Sequence, residues 1–279
     1  EHLETYRDLE DIKDTFKRFL GNIPFYGKGI VCIDDANVRS ILPLPHIKLI
    51  KYGIENWQDA DIYARDIDLG ANSSTITVCK KGIEAPLGSM TINMPGKHNI
   101  LNALAATGIA LELGVSFDVI AQALASFNGV ERRFTYRGTF RHAEVFDDYG
   151  HHPQEIHATL TVARRRTKGR LIVVFQPHRF TRTDKLWNNF INTFLKNPID
   201  SLIITDIYPA SEQPIPGVTA ENLVKAIKIQ NKDLNVIYKE PAALQKLLEE
   251  ITRPDDLILC LGAGKNVGTL AKELPQAEI

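Results

Sequence analysis

Cysteine is scarce in this chain. The three present, Cys32, Cys79 and Cys260, are odd in number, far apart and each set in an apolar run. That spacing excludes a zinc-ribbon pattern and predicts buried thiols in a reducing compartment. An excess of either charge is also missing. Lys and Arg total 33 against 34 Asp and Glu, a net charge of −1, so no bulk cationic field is available to hold nucleic acid or an anionic membrane. No apolar run approaches the roughly 18 residues of a membrane span. The opening residues Glu1-His2-Leu3-Glu4 bring neither an initiator Met nor the apolar segment of a signal peptide. These absences make the cytoplasm the expected location, and the start reads as though cut from something longer. Repeats and low-complexity segments are missing too.

What remains is ordinary globular composition. The chain has 279 residues, 44% hydrophobic and 24% charged, a length that suggests roughly two domains. Leu9, Ile12, Phe16 and Phe19 repeat at helical spacing and predict an amphipathic helix ending at Gly21. Strands are predicted over 29–33, 47–52, 62–68, 74–80 and 87–93, followed by helices over 98–113 and 116–127. Near 130–133 the pattern changes. From there strands (143–147, 171–175, 201–206, 235–238, 257–261) alternate with helices (153–166, 183–196, 219–229, 241–252, 266–273). This alternation predicts an α/β fold with a doubly wound parallel sheet, and a domain boundary that leaves 1–131 and 132–279.

Ligands of such sheets bind beyond the carboxyl ends of the strands, and the strand ends here are rich in chemistry. One carries Asp147-Asp148-Tyr149-Gly150-His151-His152-Pro153, the next Gln176-Pro177-His178-Arg179-Phe180-Thr181-Arg182-Thr183. A third carries Asp206 to Glu212, and the last Gly262-Ala263-Gly264-Lys265. The first string has the composition of a metal cluster. Adjacent residues rarely point the same way, however, and Pro153 suits a first helical turn, so capping is the expectation. Arg179 and Arg182 suit the bidentate grip of a carboxylate or phosphate. The glycines after 261 are spaced one residue too long for a dinucleotide fingerprint. Only 11 residues follow Gly268, too few to reach a ribose-binding acid, which removes a nicotinamide-dependent dehydrogenase.

In Gly96-Lys97-His98-Asn99-Ile100-Leu101-Asn102 the polar side chains recur three and four apart and share a face of an otherwise apolar helix. Two readings stay open there: contact with a nucleotide at the helix N-terminus, or simple capping and local backbone bonding.

Taken together these strings resemble the Mur ligases, in particular the alanine-adding members. The resemblance runs through Glu1-His2-Leu-Glu-Thr-Tyr6, Gly96-Lys-His98-Asn99-x-x-Asn102-Ala-Leu-Ala-Ala, Gly129-Val-Glu-Arg132-Arg133-Phe134, and the strings at 147–153 and 175–183. It covers essentially the whole chain. It implies the rear part of a central ATP-binding domain over 1–131 and a Rossmann-like C-terminal domain over 132–279. The implied activity is ATP-dependent joining of L-alanine to UDP-N-acetylmuramate through an acyl phosphate, for peptidoglycan synthesis, with Mg²⁺ as cofactor.

By the same resemblance His2 is a Mg²⁺ ligand. His98, Asn99 and Asn102 contact the nucleotide, Arg133 its phosphates and Asp148 its ribose. Tyr149, His151, His178, Arg179 and Arg182 form the alanine pocket. Two departures stand out. The family's UDP-binding domain and Gly-Lys-Thr phosphate loop are not in these 279 residues, and Lys265 stands where the family has Asp or Asn. The competing expectations are a non-catalytic nucleotide- or amino-acid-binding piece, and a Mur ligase that adds a different amino acid.

Overall fold

A computed structural model describes residues 6–278 and divides into two compact units, 6–129 and 130–278. In the first, α1 (Leu9–Gly21) starts where the Asp8 side chain accepts the Asp11 N–H at 2.9 Å, an N-cap that satisfies one orphan donor. The helix forms where the periodicity places it, but its stripe does not bury. Among the described residues Phe16 and Phe19 stay 54% and 67% exposed, and only Leu20 is buried.

The strands β1 (Lys28–Cys32), β2 (Lys48–Gly53), β3 (Ile62–Leu69), β4 (Ser74–Lys80) and β5 (Gly88–Ile92) form one sheet in chain order. β1 to β3 pair parallel and β3 to β5 antiparallel. A five-residue helix, α2 (Ala36–Ser40), capped by the Asp35 side chain, follows β1 and was not legible in the periodicity. Ile62, Ile76, Val78, Met90 and Ile92 bury against α3 (Lys97–Glu112) and α4 (Phe117–Ser126). Of the cysteines, Cys79 and Cys260 are buried as expected, whereas Cys32 is only half-buried; all three are free thiols.

The second unit is built on β6 (Thr135–Phe140), β7 (Ala143–Asp148), α5 (Pro153–Arg166), β8 (Leu171–Phe175), α6 (Phe180–Lys185), α7 (Trp187–Lys196), β9 (Ser201–Ile204), α8 (Ala220–Gln230), β10 (Val236–Tyr238), α9 (Leu244–Ile251), β11 (Leu257–Leu261) and α10 (Lys265–Glu273). The sheet order is β10-β9-β8-β11-β7-β6, with β6 the antiparallel edge and the others parallel. β8 and β11 are buried at every residue, as strands covered on both faces must be. Leu171, Val173 and Phe175 face a core shared with α5, α7 and α8, while Ile172 and Val174 face one shared with α9 and α10.

That division positions the site. The chain steps β7, β8, β9, β10 with helices on one face, then returns over the other face to insert β11 between β8 and β7. The winding reverses beside β11, so the binding crevice of such a sheet falls at the carboxyl ends of β7, β11 and β8.

Two elements differ from expectation. The helix predicted over 183–196 starts earlier and breaks at Leu186 into α6 and α7. Its earlier start has a long-range cause: Glu212 accepts the Thr181 N–H at 3.0 Å and the Thr181 hydroxyl at 2.7 Å. The edge strand β6 was not foreseen. It is bulged between Tyr136 and Gly138, so it lacks the period-two pattern that identifies a strand.

Candidate active site at the strand ends

β7 ends in two buried carboxylates with different tasks. Asp147 is fully buried and accepts the Arg132 Nε–H at 3.2 Å to each oxygen and an Arg137 Nη–H at 2.8 Å. Asp148 is 4% exposed. Its oxygens accept the N–H groups of Phe134 and Gly150 at 2.8 and 2.7 Å. Burial drives its pKa upward, partly opposed by these N–H groups and the Thr159 hydroxyl. The carboxylate expected at a ribose is thus turned into the protein, where it pins the turn on which Tyr149 sits.

The turn continues into α5. His152 is its N-cap, Pro153 occupies the first turn, and Glu155 reaches back to the N–H groups of His151 and His152 at 3.0 and 3.2 Å. This is the capping arrangement expected of the string. Among the described residues no group of three or more His, Cys, Asp or Glu could hold a metal ion. His2, the expected Mg²⁺ ligand, lies outside the described residues.

Residues expected to form an alanine pocket come together at the ends of β7 and β8. Tyr149 meets His151 edge-on at 5.5 Å, and His151 meets His178 at 5.8 Å. His178 stacks on Tyr208 at 5.4 Å with 13° between the rings. Arg182, 7% exposed, places one Nη 3.2 Å from His178 Nδ1. A guanidinium only donates, so Nδ1 must be the acceptor and the proton resides on Nε2. Burial, helped by the charge of Arg182, lowers the His178 pKa to about 4. The ring is a neutral hydrogen-bond donor at physiological pH.

Arg179, at φ +71°, faces Glu212 at 3.6 Å. Tyr208 and Glu212 were unassigned in the sequence, although the string ending β9 marked their place.

A consequence follows for pH dependence. His178 has a folded pKa near 4 against an ordinary 6.5, so its contribution to stability is complete above pH 6.5. That contribution is lost as pH falls toward 4, because the unfolded ring takes up a proton that the folded ring refuses. Thermal unfolding from pH 7.5 to 4.5 is expected to show a smaller fall in Tm for His178→Gln than for the parent. Parallel curves would contradict the neutral assignment.

The β11 end contributes backbone. Gly262 (φ +141°) lies where a Cβ would stand 2.5 Å from the Gln176 carbonyl oxygen, and a Cβ on Gly264 would stand 2.0 Å from Gln176 Oε1. Only glycine lets this turn lie so close to β8.

In the first unit, the start of α3 presents the other candidate set. Gly96 (φ +101°) is its N-cap and no side chain caps the helix. Asn99 is half-buried and donates to the Pro95 carbonyl at 2.9 Å, while His98 and Asn102 are exposed. The Asn102 amide has no protein partner among the described residues, so the local backbone bond considered for it does not form. A helix N-terminus without a side-chain cap, beside an unengaged amide, is a setting that fits a nucleotide. A cavity of about 480 Å³ lined by Lys28, Lys48, Lys80 and Glu112 lies at the opposite end of α3, away from this set. Arg133 is half-exposed in the second unit, with Glu155 as a distant partner at 3.7 Å.

Known proteins resemble the chain along nearly its whole length. The chain matches the Mur ligase middle domain over residues 1–110 and the Mur ligase glutamate ligase domain over 132–264. The UDP-N-acetylmuramate–L-alanine ligase of Geobacter sp. is 43% identical over 95% of this chain and 56% of its own length. That of Solidesulfovibrio magneticus is 46% identical over the same shares. The chain therefore spans little more than half the length of these relatives.

Among solved structures, UDP-N-acetylmuramate-alanine ligase from Thermotoga maritima gives a TM-score of 0.75 at 22% identity, covering 100% of this chain and 57% of that one. The MurF ligase of the same organism, in complex with ADP, gives 0.71 at 18%, covering 99% and 59%. At such identities the shared feature is the fold. No helix among the described residues is long and apolar enough to cross a membrane. With both of its domains matched in order and curated relatives above 40% identity along nearly its whole length, the chain belongs to the Mur ligase family.

Proposed function

We propose that these residues are the nucleotide- and amino-acid-handling part of a cytoplasmic ligase that joins L-alanine to UDP-N-acetylmuramate, with ATP and Mg²⁺, in peptidoglycan synthesis. The observation that carries the reading is the trio Arg179, Arg182 and neutral His178 at the winding reversal of the second unit. It supplies two fixed cations and a fixed N–H donor, a set suited to an amino-acid carboxylate. The relatives' names supply the identity of the substrates.

A carboxylate is a poor electrophile for an amine, and ATP, when bound, supplies the phosphoryl group that activates it as an acyl phosphate. The work left to the chain is positioning and charge complementarity. Asn99, Asn102 and His98 would meet the nucleotide, and Arg133 its phosphates. Asp148 would act through the turn that it holds. Tyr149 and His151 would close the alanine pocket over His178. The described residues hold no group of three or more His, Cys, Asp or Glu to seat Mg²⁺.

The test is ADP release, measured in the protein at the full length of its relatives. It should require both UDP-N-acetylmuramate and L-alanine. Release driven equally by an unrelated amino acid would contradict the reading. The 279 residues alone contain no Gly-Lys-Thr string to seat a γ-phosphate, so they are expected to release no ADP. Turnover near the full-length rate would show that the phosphate site has been misplaced.

A further inference from the structure

Arg132 precedes the arginine assigned to phosphate and is itself unassigned, yet its guanidinium meets a buried carboxylate, a backbone carbonyl and an aromatic ring. It is a non-glycine residue at φ +60°, a conformation that persists only where the surroundings enforce it. Its carbonyl accepts the Tyr149 N–H at 2.7 Å. Its Nε–H points at both Asp147 oxygens, and an Nη–H reaches the Gly262 carbonyl at 2.6 Å. The guanidinium lies over the Tyr149 ring, 5.0 Å from its centre. One side chain thus ties the end of β7 to the turn after β11 and sets the ring that leads through His151 to His178.

Helix α10 is shaped around the same group. A Cβ on Gly268 would stand 2.9 Å from the guanidinium carbon, so the absence of a side chain there leaves the space Arg132 occupies. Nε and one Nη are thus committed inside the protein, with Gly268 on one side of the group and the Tyr149 ring within cation–π range.

From this we infer that Arg132 is a positioning residue for the amino-acid pocket, acting through Tyr149 and the Gly262 turn. The inference rests on the functional reading above. It predicts that displacing the guanidinium loosens L-alanine without touching the nucleotide. Two variants do this by different routes. Arg132→Lys keeps a cation beside Asp147 but loses the planar fork, while Gly268→Ala leaves Arg132 intact, suits a helix, and pushes on the guanidinium.

In the protein at the full length of its relatives, each is expected to raise the apparent KM for L-alanine by about tenfold or more, in keeping with the cost of displacing a positioning group by about 1 Å. The KM for ATP should stay within about twofold. In a Tyr149→Leu background, Arg132→Lys should add little further, the non-additivity expected of residues acting as one unit. An unchanged KM for L-alanine in both variants would overturn the inference and leave the functional reading standing. So would equal rises for L-alanine and ATP, or effects that multiply with Tyr149→Leu. Failure of the parent to release ADP in response to L-alanine would overturn that reading and this inference together.

Discussion

Arg182→Ala, made at the full length of the relatives, is expected to raise the apparent KM for L-alanine by about 10- to 100-fold. Loss of one charge-assisted contact costs about 1.5–3 kcal/mol. The structure adds a second consequence. Arg182 is nearly buried and donates to His178 Nδ1, so its removal frees the acceptor and takes away one of the charges that depress the His178 pKa. The variant should therefore show the His178 imidazole titrating closer to neutrality in its KM–pH profile than the parent's value of about 4. A parental KM together with a parental pH profile would mean that neither the carboxylate nor His178 depends on this guanidinium.

The largest effect on stability is expected at Asp147. This carboxylate is fully buried between Arg132 and Arg137, and both guanidiniums are themselves mostly buried. Alanine at this position would leave Arg132 without a carboxylate partner and Arg137 with only the exposed Glu131. Breaking a buried pair from one side costs about 3–5 kcal/mol, because the remaining charge is uncompensated. Urea unfolding of Asp147→Ala should show a loss in that range, with Asp147→Asn intermediate, since the amide oxygen still accepts. A loss below about 1 kcal/mol would show that water reaches the arginines and that the cluster is a solvated one.

Much of the second unit was legible because its signals are local. The apolar runs 171–175 and 257–261 form strands at those very residues. Pro153 with His152 before it marked the start of α5, and the cap is made by those residues. The illegible features depend on partners far along the chain. Glu212 moves the start of α6 from a loop some 30 residues downstream. Asp148 turns inward because the N–H groups of Phe134 and Gly150 are there to receive it. Spacing alone showed that Asp148 ends a strand, but not which way its carboxylate faces.

In the first unit the spacing of α1 fixed the helix without fixing its burial, since Phe16 and Phe19 find no cover among the described residues. At α3, the pattern put Asn99 and Asn102 on one face. It could not tell that one amide is bound to Pro95 while the other is unengaged.

The central claim is a division of labour: the start of α3 handles the nucleotide and the strand ends of the second unit handle the amino acid. Its most direct test measures the apparent KM for ATP and for L-alanine side by side in Asn102→Ala and Arg179→Ala, each at full length. Asn102 is exposed and unengaged, so its loss should spare the fold. The account predicts a crossed result, in which Asn102→Ala raises the KM for ATP and leaves that for L-alanine unchanged, while Arg179→Ala does the reverse. If both substitutions weakened the same substrate, or if Asn102→Ala changed neither KM, the assignment of the two sites would be contradicted.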